Sequence, residues 1–224
     1  MEPMASAPEA LIPSVGWNVV HLFMKARPGA SQADADAAIA AAEEAGCQVV
    51  LAAIVGHKAD LCAMATAEDL WALRRLQTGL ESAGLEVVES YVSLTEVSEY
   101  AQGVPEAMLE ARLHPKLPPE GMRAFCFYPM SKRRGEEHNW YALPYDQRRE
   151  LMMEHGSSGR AFAGRILQVV TGSTGIDDWE WGVTLFGVHP DDVKECVYTM
   201  RFDEASTLYA EFGPFYTGIV GSLD

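Results

Sequence analysis

An oxidisable phenol, a thioether and a cation alternate along the stretch Tyr128-Pro-Met-Ser-Lys132. Alternate side chains of a β-strand share a face, so Tyr128, Met130 and Lys132 are predicted to line one wall of a site. His155 lies 27 residues beyond the tyrosine, at the end of a helix-like run, and its imidazole can supply an axial nitrogen to a haem-type iron. The bare pattern leaves a second interpretation open. In this interpretation, His155 lies at the C-terminus of a helix and only complements the helix dipole, and Gly156 is the cap residue in the left-handed conformation.

The periodicity of the first half of the chain predicts the element order βαββαβ. Strands are expected at 16–25, 48–55, 60–63 and 85–94, and helices at 31–45 and 66–82, with Thr66 as a cap and Gly84 as a stop. The second half repeats this order, with strands at 122–130, 164–171, 179–188 and 215–220 and helices at 144–154 and 190–200. Two such units predict an α+β protein made of tandem ferredoxin-like repeats, each an antiparallel sheet with helices on one face.

The chain is expected to have four parts. These are a flexible N-terminal segment at 1–14, a first ferredoxin-like domain at 15–103, a proline-rich linker at 104–121 and a second ferredoxin-like domain at 122–224. A ferredoxin-like sheet has one face without helices, so the two sheets are expected to pack together or against another subunit.

Charge narrows the range of partners. The formal net charge of −15 argues against nucleic acid or an anionic membrane as partner. Residues 112–165 nevertheless hold 10 Lys/Arg against 6 Asp/Glu, which favours local recognition of an anion. The chain contains no apolar run of membrane-spanning length and does not begin like a signal peptide, so a soluble cytoplasmic protein is expected. The four scattered cysteines indicate buried thiols, and no zinc or calcium spacing occurs.

The second half carries a set of ordered motifs: YPMSKRR, NWY, MEHGSSGR, LQVVTGS, DDWEWGVTLF and MRFDEAS. Over this region the chain closely resembles the coproheme decarboxylases of the chlorite dismutase superfamily, and among them the actinobacterial type. The first half is similar only in outline. The resemblance implies the dimeric α+β barrel of that superfamily and a ring of five subunits.

The resemblance also assigns roles to the residues already singled out. It implies that His155 is the proximal iron ligand and Tyr128 the catalytic radical tyrosine. Lys132 would bind a substrate carboxylate and supply a proton, and Met130 would contact the porphyrin from the same wall. Two further positions correspond to family residues that hold propionates, Arg201 and Ser206.

Two residues are candidates for the distal side of the iron. Gln168 stands where chlorite-degrading relatives carry an arginine, and its neutral amide disfavours chlorite chemistry. His114 precedes Tyr128 by 14 residues, in the region from which actinobacterial relatives recruit a distal base. A linker histidine without a catalytic role is the equal alternative for His114.

The implied activity is the hydrogen peroxide-dependent oxidative decarboxylation of propionates 2 and 4 of Fe-coproporphyrin III (coproheme) to vinyl groups, giving haem b. Coproheme would be both substrate and redox cofactor, and a transient contact with coproporphyrin ferrochelatase is a further implication. Two alternatives use the same His155. One is a haem-dependent chlorite dismutase or peroxidase, and the other is a non-catalytic haem-binding or haem-transfer protein.

Overall fold

The computed structural model describes residues 9–221, which form nine β-strands and six α-helices. The first half contains β1 (Asn18–Ala26), α1 (Gln32–Glu44), β2 (Gln48–Ile54), β3 (Leu61–Ala67), α2 (Leu70–Ser82) and β4 (Leu85–Thr95). Helix α3 (Glu106–Leu113) follows. The second half contains β5 (Ala124–Lys132), a short 3-10 helix (Trp140–Ala142), α4 (Tyr145–Arg160), β6 (Ile166–Gly172), β7 (Trp181–Gly187), α5 (Pro190–Met200), α6 (Glu204–Thr207), β8 (Ala210–Phe212) and β9 (Tyr216–Val220).

The two sheets close into one antiparallel barrel. Hydrogen-bonded neighbours run in the order β7-β6-β4-β1-β3-β2-β9-β5, and β5 pairs back to β7, while β8 adds to the end of β5. The joints between the halves are short, with Leu94 and Thr95 of β4 facing β6 and three residue pairs between β2 and β9. Closure satisfies strand edges that two separate sheets would leave open.

Alternation along the strands separates the barrel interior from its outer surface. The interior is filled by large side chains from both halves, including Phe23, Met64, Phe127, Phe186 and Tyr216. The outward residues of β1, β2 and β3 pack under α1 and α2 in a second apolar cluster. The outward residues of β5 and β7 pack under α5, and α4 and α6 form a further cluster around Trp140 and Tyr209.

The predicted α+β class and the two βαββαβ units are confirmed. Helix α1 begins after Ser31, whose side chain accepts a hydrogen bond from the backbone N–H of Asp34, as expected for an N-cap. The predicted cap at Thr66 is wrong, because Thr66 is inside β3 and the side chain of Asp69 caps α2 instead. Gly84 does follow the end of α2, with a φ of +92° that suits glycine.

The prediction that His155 ends its helix is also wrong. Helix α4 continues to Arg160, and Gly156 is an interior helical residue rather than a left-handed cap. Sequence periodicity missed four short elements, namely α3, the 3-10 helix, α6 and β8. Helix α3 occupies part of the predicted linker 104–121, and the predicted segment 1–14 lies partly outside the described residues. The domain limits stay a prediction. Within residues 9–221, no helix has the length and apolar character needed to cross a membrane.

Candidate functional site

On the outer face of the second half, residues of β5, β6 and β7 form three cross-strand rows. These rows together are the floor of the candidate site. Gln168 of β6 pairs with Leu185 of β7, and Leu185 pairs with Cys126 of β5. The next row is Val170, Val183 and Tyr128, and the third is Gly172, Trp181 and Met130. Helix α5 covers the first row, but Val170 is 40% exposed and Met130 is half-buried. The sheet therefore presents an incompletely covered, mainly apolar surface that carries three of the predicted site residues.

Tyr128 is buried on this floor among other aromatic side chains. Its ring stacks on Phe215 with centroids 4.5 Å apart and meets the edge of Phe212 at 5.7 Å. Burial raises the pKa of the Tyr128 phenol, and the nearby guanidinium of Arg201 opposes this rise. Among the described residues, none makes a hydrogen bond to its hydroxyl. The phenol is therefore held neutral in an apolar niche.

His155 lies on α4, and its side chain is one-quarter exposed. Its Nδ1–H donates to Asp203 Oδ2 at 2.9 Å, since a carboxylate can only accept, and the Nε2 lone pair is then left available. Burial of Asp203 acts to raise its pKa, but hydrogen bonds from His155 and Ser206 outweigh it and lower this pKa overall. A neutral imidazole oriented by a carboxylate at its other nitrogen is the usual arrangement of a metal-ligating histidine.

Helix α6 connects His155 to Lys132. Asp203 caps this helix by accepting the backbone N–H of Ser206 at 2.8 Å, and the Ser206 hydroxyl lies 3.5 Å from His155 Nδ1. The buried ammonium of Lys132 donates to the backbone carbonyl of Ala205 at 3.0 Å. Residues from β5, α4 and α6 thus meet at one place, although they are far apart in the sequence.

Lys132 is buried rather than exposed, which is uncommon for lysine. Its Nζ lies 4.2 Å from the centroid of the Trp140 ring, a cation–π contact. Burial lowers the pKa of Lys132 to about 8, and the carboxylates of Asp203 and Glu180 limit the fall. The pKa of Lys132 therefore lies well below that of an exposed lysine.

The remaining predicted residues occupy different surroundings. Arg201 is exposed after the last residue of α5, with its Cζ 4.7 Å from the Phe212 ring, and it makes no ion pair within residues 9–221. His114 follows α3, packs edge-on against Trp17 at 4.8 Å, and has its Nδ1 2.6 Å from Glu110 Oε1. Its described contacts do not include Tyr128, Met130 or Gln168, and its distal role stays a prediction.

Sequence reasoning missed Asp203, Glu180 and the two phenylalanines beside Tyr128. Asp203 and Glu180 are inside motifs that were recognised, but an acidic residue in a motif does not reveal which distant atom it contacts. The three-residue strand β8, which carries Phe212, is too short to show a period of two. A capping aspartate followed by a serine three positions later was the one available local signal.

The residues present fit an iron porphyrin. A histidine with a free Nε2 faces away from its carboxylate partner, an apolar and aromatic surface is left partly uncovered, and the cations Arg201 and Lys132 lie beside it. These features match, respectively, an axial ligand, the face of a planar ring and acidic side chains at its edge. The donor set and the partly uncovered apolar surface therefore suit an iron porphyrin.

Comparisons with known proteins agree with this interpretation. The model of the family described as chlorite dismutase matches residues 29–221, and the chain belongs to that family. A coproheme decarboxylase of Staphylococcus saprophyticus is 43% identical over 76% of this chain and 72% of its own length. The coproheme decarboxylase of Staphylococcus carnosus is 42% identical over 75% of this chain and 70% of its own length. The predicted resemblance is therefore confirmed.

Other relatives are named for binding alone. A protein of Natronomonas pharaonis, named as a candidate heme-binding protein, is 45% identical over 74% of this chain. This chain spans only 30% of the length of that relative. A heme-binding protein of Thermus thermophilus superimposes with a TM-score of 0.83 at 35% identity, covering 93% of this chain and 92% of that one. A chlorite dismutase of Candidatus Nitrospira defluvii, 18% identical over 94% of this chain and 93% of that one with a TM-score of 0.72, shares the fold.

Proposed function

We propose that this protein is a coproheme decarboxylase. It would use hydrogen peroxide to convert propionates 2 and 4 of Fe-coproporphyrin III to vinyl groups, releasing CO2 and leaving haem b. The observation that carries the proposal is the Tyr128 phenol, buried on the same outer face as the neutral Gln168. The names of the two Staphylococcus relatives support the same activity.

His155 would hold the iron through Nε2. Asp203 keeps the proton on Nδ1 and fixes the plane of the ring, so the ligand is oriented before the porphyrin enters. When bound, the iron of coproheme supplies the oxidising chemistry, with hydrogen peroxide as oxidant. The protein's part is to place oxidisable and acidic groups around it.

Tyr128 would act on the substrate propionate. A phenol that gives up an electron and its proton can accept a hydrogen atom from the β-carbon of a propionate, after which loss of CO2 and a second electron leaves a vinyl group. The aromatic neighbours of Tyr128 are phenylalanines, which are much harder to oxidise, so the oxidation would stay on the phenol. Its apolar niche also keeps the proton on the oxygen until that step.

Carboxylate groups of the substrate need cations and hydrogen-bond donors. Arg201 is an exposed cation close enough to affect the Tyr128 pKa and would hold a propionate there. Lys132 and Ser206 would contact other propionates, and Lys132 would supply a proton. Met130, on the third row of the floor, would pack against the face of the ring. We assign His114 to the distal base on sequence position alone.

Gln168 argues against a chlorite dismutase. Its amide carries no charge, so it cannot attract a transient oxyanion as the arginine of chlorite-degrading relatives would. A non-catalytic haem-binding protein is the stronger second candidate, because the Thermus thermophilus structure has that name and superimposes closely. In that alternative, Tyr128 would serve only to pack the site.

The deciding experiment supplies the purified protein with coproheme and limiting hydrogen peroxide and follows porphyrin mass. We expect two successive losses of CO2 for the wild type. Tyr128→Phe should still bind coproheme, because one neutral hydrogen bond is worth only about 0.5–1.5 kcal/mol, but it should accumulate no vinyl product.

Tyr91→Phe is the matched control. Tyr91 is a buried tyrosine inside the barrel whose hydroxyl donates to the carbonyl of Trp179, so this variant removes a phenol oxygen outside the site. It should yield haem b normally. Normal haem b from Tyr128→Phe would exclude the phenol from the reaction and favour the binding protein.

The proposal also includes a cytoplasmic location, a homopentamer and a transient contact with coproporphyrin ferrochelatase.

A further inference from the structure

Glu96, the first residue after β4, carries an exposed carboxylate to which the proposed reaction assigns no part. Its Oε1 accepts the indole N–H of Trp181 at 3.0 Å. Its Oε2 lies directly against the backbone of Gly172, because a Cβ added at that glycine would overlap this oxygen. The carboxylate therefore occupies the place on the floor that a side chain of residue 172 would take.

This carboxylate lies at one end of the third row of the floor. Gly172 pairs with Trp181 of β7, and Trp181 pairs with Met130 of β5. Met130 in turn pairs with Phe212 of β8, and the Phe212 ring lies 4.7 Å from Cζ of Arg201. Since hydrogen-bonded strands are about 4.8 Å apart, the row is roughly 14 Å long. It has a carboxylate at one end and a guanidinium at the other.

The corner of the floor beside Glu96 is open. A cavity of about 430 Å³ is bounded there by Glu96, Gly172 and Trp181, together with apolar side chains that include Leu94 and Ile176. Leu94 pairs with Gly172, so the third row continues across the joint between the two halves. Among residues 9–221, the hydrogen-bond partner of the Glu96 side chain is a neutral indole. A negative charge therefore borders an apolar space large enough to admit part of a ligand.

The two ends of this row favour different edges of a porphyrin that carries carboxylates. Fe-coproporphyrin III has one edge, between pyrrole rings A and D, that carries two methyl groups. Each of its other three edges carries at least one propionate. Like charges that face each other across a site disfavour a wrong partner or a wrong orientation, whereas opposite charges attract. A propionate is therefore favoured beside Arg201 and disfavoured beside Glu96.

We propose that Glu96 is a specificity-determining residue that sets the in-plane orientation of the porphyrin by excluding propionates from the Gly172 end of the floor. The edge with two methyl groups then lies at that end. Trp181 fixes the carboxylate in place, and Gly172 provides the room for it. The inference rests on the proposed function, because it takes coproheme as the ligand. Glu96 thereby determines which propionates come near Tyr128.

Iron coproporphyrin I is the probe that tests this role. It has the same mass and charge as coproheme, but each of its four edges carries a propionate. The two ferric isomers are titrated separately into the protein without peroxide, and each affinity is read from the porphyrin absorption band. The wild type should bind the III isomer about threefold to tenfold more tightly than the I isomer.

Glu96→Gln should reduce this ratio to about one. The amide oxygen can still accept the Trp181 N–H, while the charge that disfavours a propionate is lost, so the I isomer should bind more tightly than it does to the wild type. Gly172→Ala keeps the charge but places a methyl group where the carboxylate lies, and it should also lower the ratio.

Glu89→Gln is the matched control. Glu89 is an exposed acid on β4 that pairs with Phe23 of β1, so the variant makes the same charge change away from the floor and should keep the wild-type ratio. Equal affinity of the wild type for both isomers, or an unchanged ratio in Glu96→Gln, would overturn the assignment. A wild type that prefers the III isomer but never decarboxylates it would overturn the proposed function and support the role of Glu96 in binding.

Discussion

The two halves of the barrel share one order of elements, but their helices pack with different closeness on the outer face. In the first half, α1 and α2 contact each other along more of their length than α4 and α5 do. A Cβ placed on Gly79 of α2 would lie 2.7 Å from the Cβ of Ala38 on α1, so small residues allow these helices to approach closely. The same topology therefore accommodates closely packed helices or a partly uncovered sheet, depending on helix composition.

Helix α4 has too few apolar residues to pack closely against its neighbours along its length. Its sequence, YDQRRELMMEHGSSGR, contains few apolar residues, and Leu151 is its only buried residue. Such a helix cannot cover the full floor, so Val170 stays exposed and Met130 half-buried. An open apolar surface next to polar side chains is typical of a ligand site.

Two histidines contrast the closed barrel interior with the outer face of the second half. His21 is buried inside the barrel, where its Nε2 shares a hydrogen bond with the Thr184 hydroxyl at 2.8 Å and its Nδ1 has no partner in the described part of the chain. Burial lowers the pKa of His21 to about 3, so it stays neutral. His155, by contrast, is one-quarter exposed and directed by a carboxylate. The barrel interior buries His21 completely, whereas the outer face of the second half leaves the His155 imidazole partly exposed.

Replacing His155 should have the largest effect on coproheme binding. His155→Ala removes the axial nitrogen, and we expect coproheme affinity to fall at least about a hundredfold, measured by titration of the porphyrin absorption band. Added imidazole should partly restore the spectrum, because the mutation leaves a cavity of that shape. His57→Ala, in an exposed loop, is the control. Unchanged affinity in His155→Ala would break the distinction between the two histidines.

Loss of the carboxylate behind His155 should have the next largest effect. Asp203→Asn keeps an N-cap for α6 but removes the charge that orients the imidazole, so coproheme affinity should drop about 10- to 100-fold. The absorption spectrum of the bound iron should also change. The same measurement on Glu204→Gln, an exposed neighbour, should give wild-type values.

The buried imidazole of His21 should make the folded protein sensitive to acid. The folded pKa of His21, about 3, is below the unfolded value near 6.5, so its contribution to stability is present above pH 6.5 and is lost as the pH falls toward 3. Between pH 7 and 5 this loss amounts to about 2 kcal/mol in the free energy of unfolding. His21→Gln should lack this component in denaturant titrations, whereas His57→Gln should retain it.

The smallest effects should come from glycines in the two helix pairs. Gly79→Ala creates the contact with Ala38 and should destabilise the protein by about 1–2 kcal/mol despite better helix propensity. Gly159→Ala in α4 meets only the terminal methyl of Met200 at 3.7 Å, and should stabilise by about 0.5–1 kcal/mol. Equal responses in thermal unfolding would contradict the difference in helix approach.

Much of the fold could be predicted because its major elements have clear local signals. The periodicity of β1, β2, β5 and β7 and of helix α1 predicted their positions to within a few residues. The short elements α6 and β8 could not be predicted, since four and three residues are too few to show a period. The end of α4 was misplaced because a glycine after a histidine imitates a helix stop.

The sequence by itself determined the chemical types available, the alternation that puts Tyr128, Met130 and Lys132 on one face, and the two βαββαβ units. Only the tertiary structure decided that the two sheets close into one barrel, that Asp203 holds His155 from 48 residues away, and that Glu180 reaches Lys132. These contacts depend on which strands pair and which helices fail to cover the sheet. Such choices are made by the packing of the whole chain, because no local pattern encodes the free energy of contacts between distant segments.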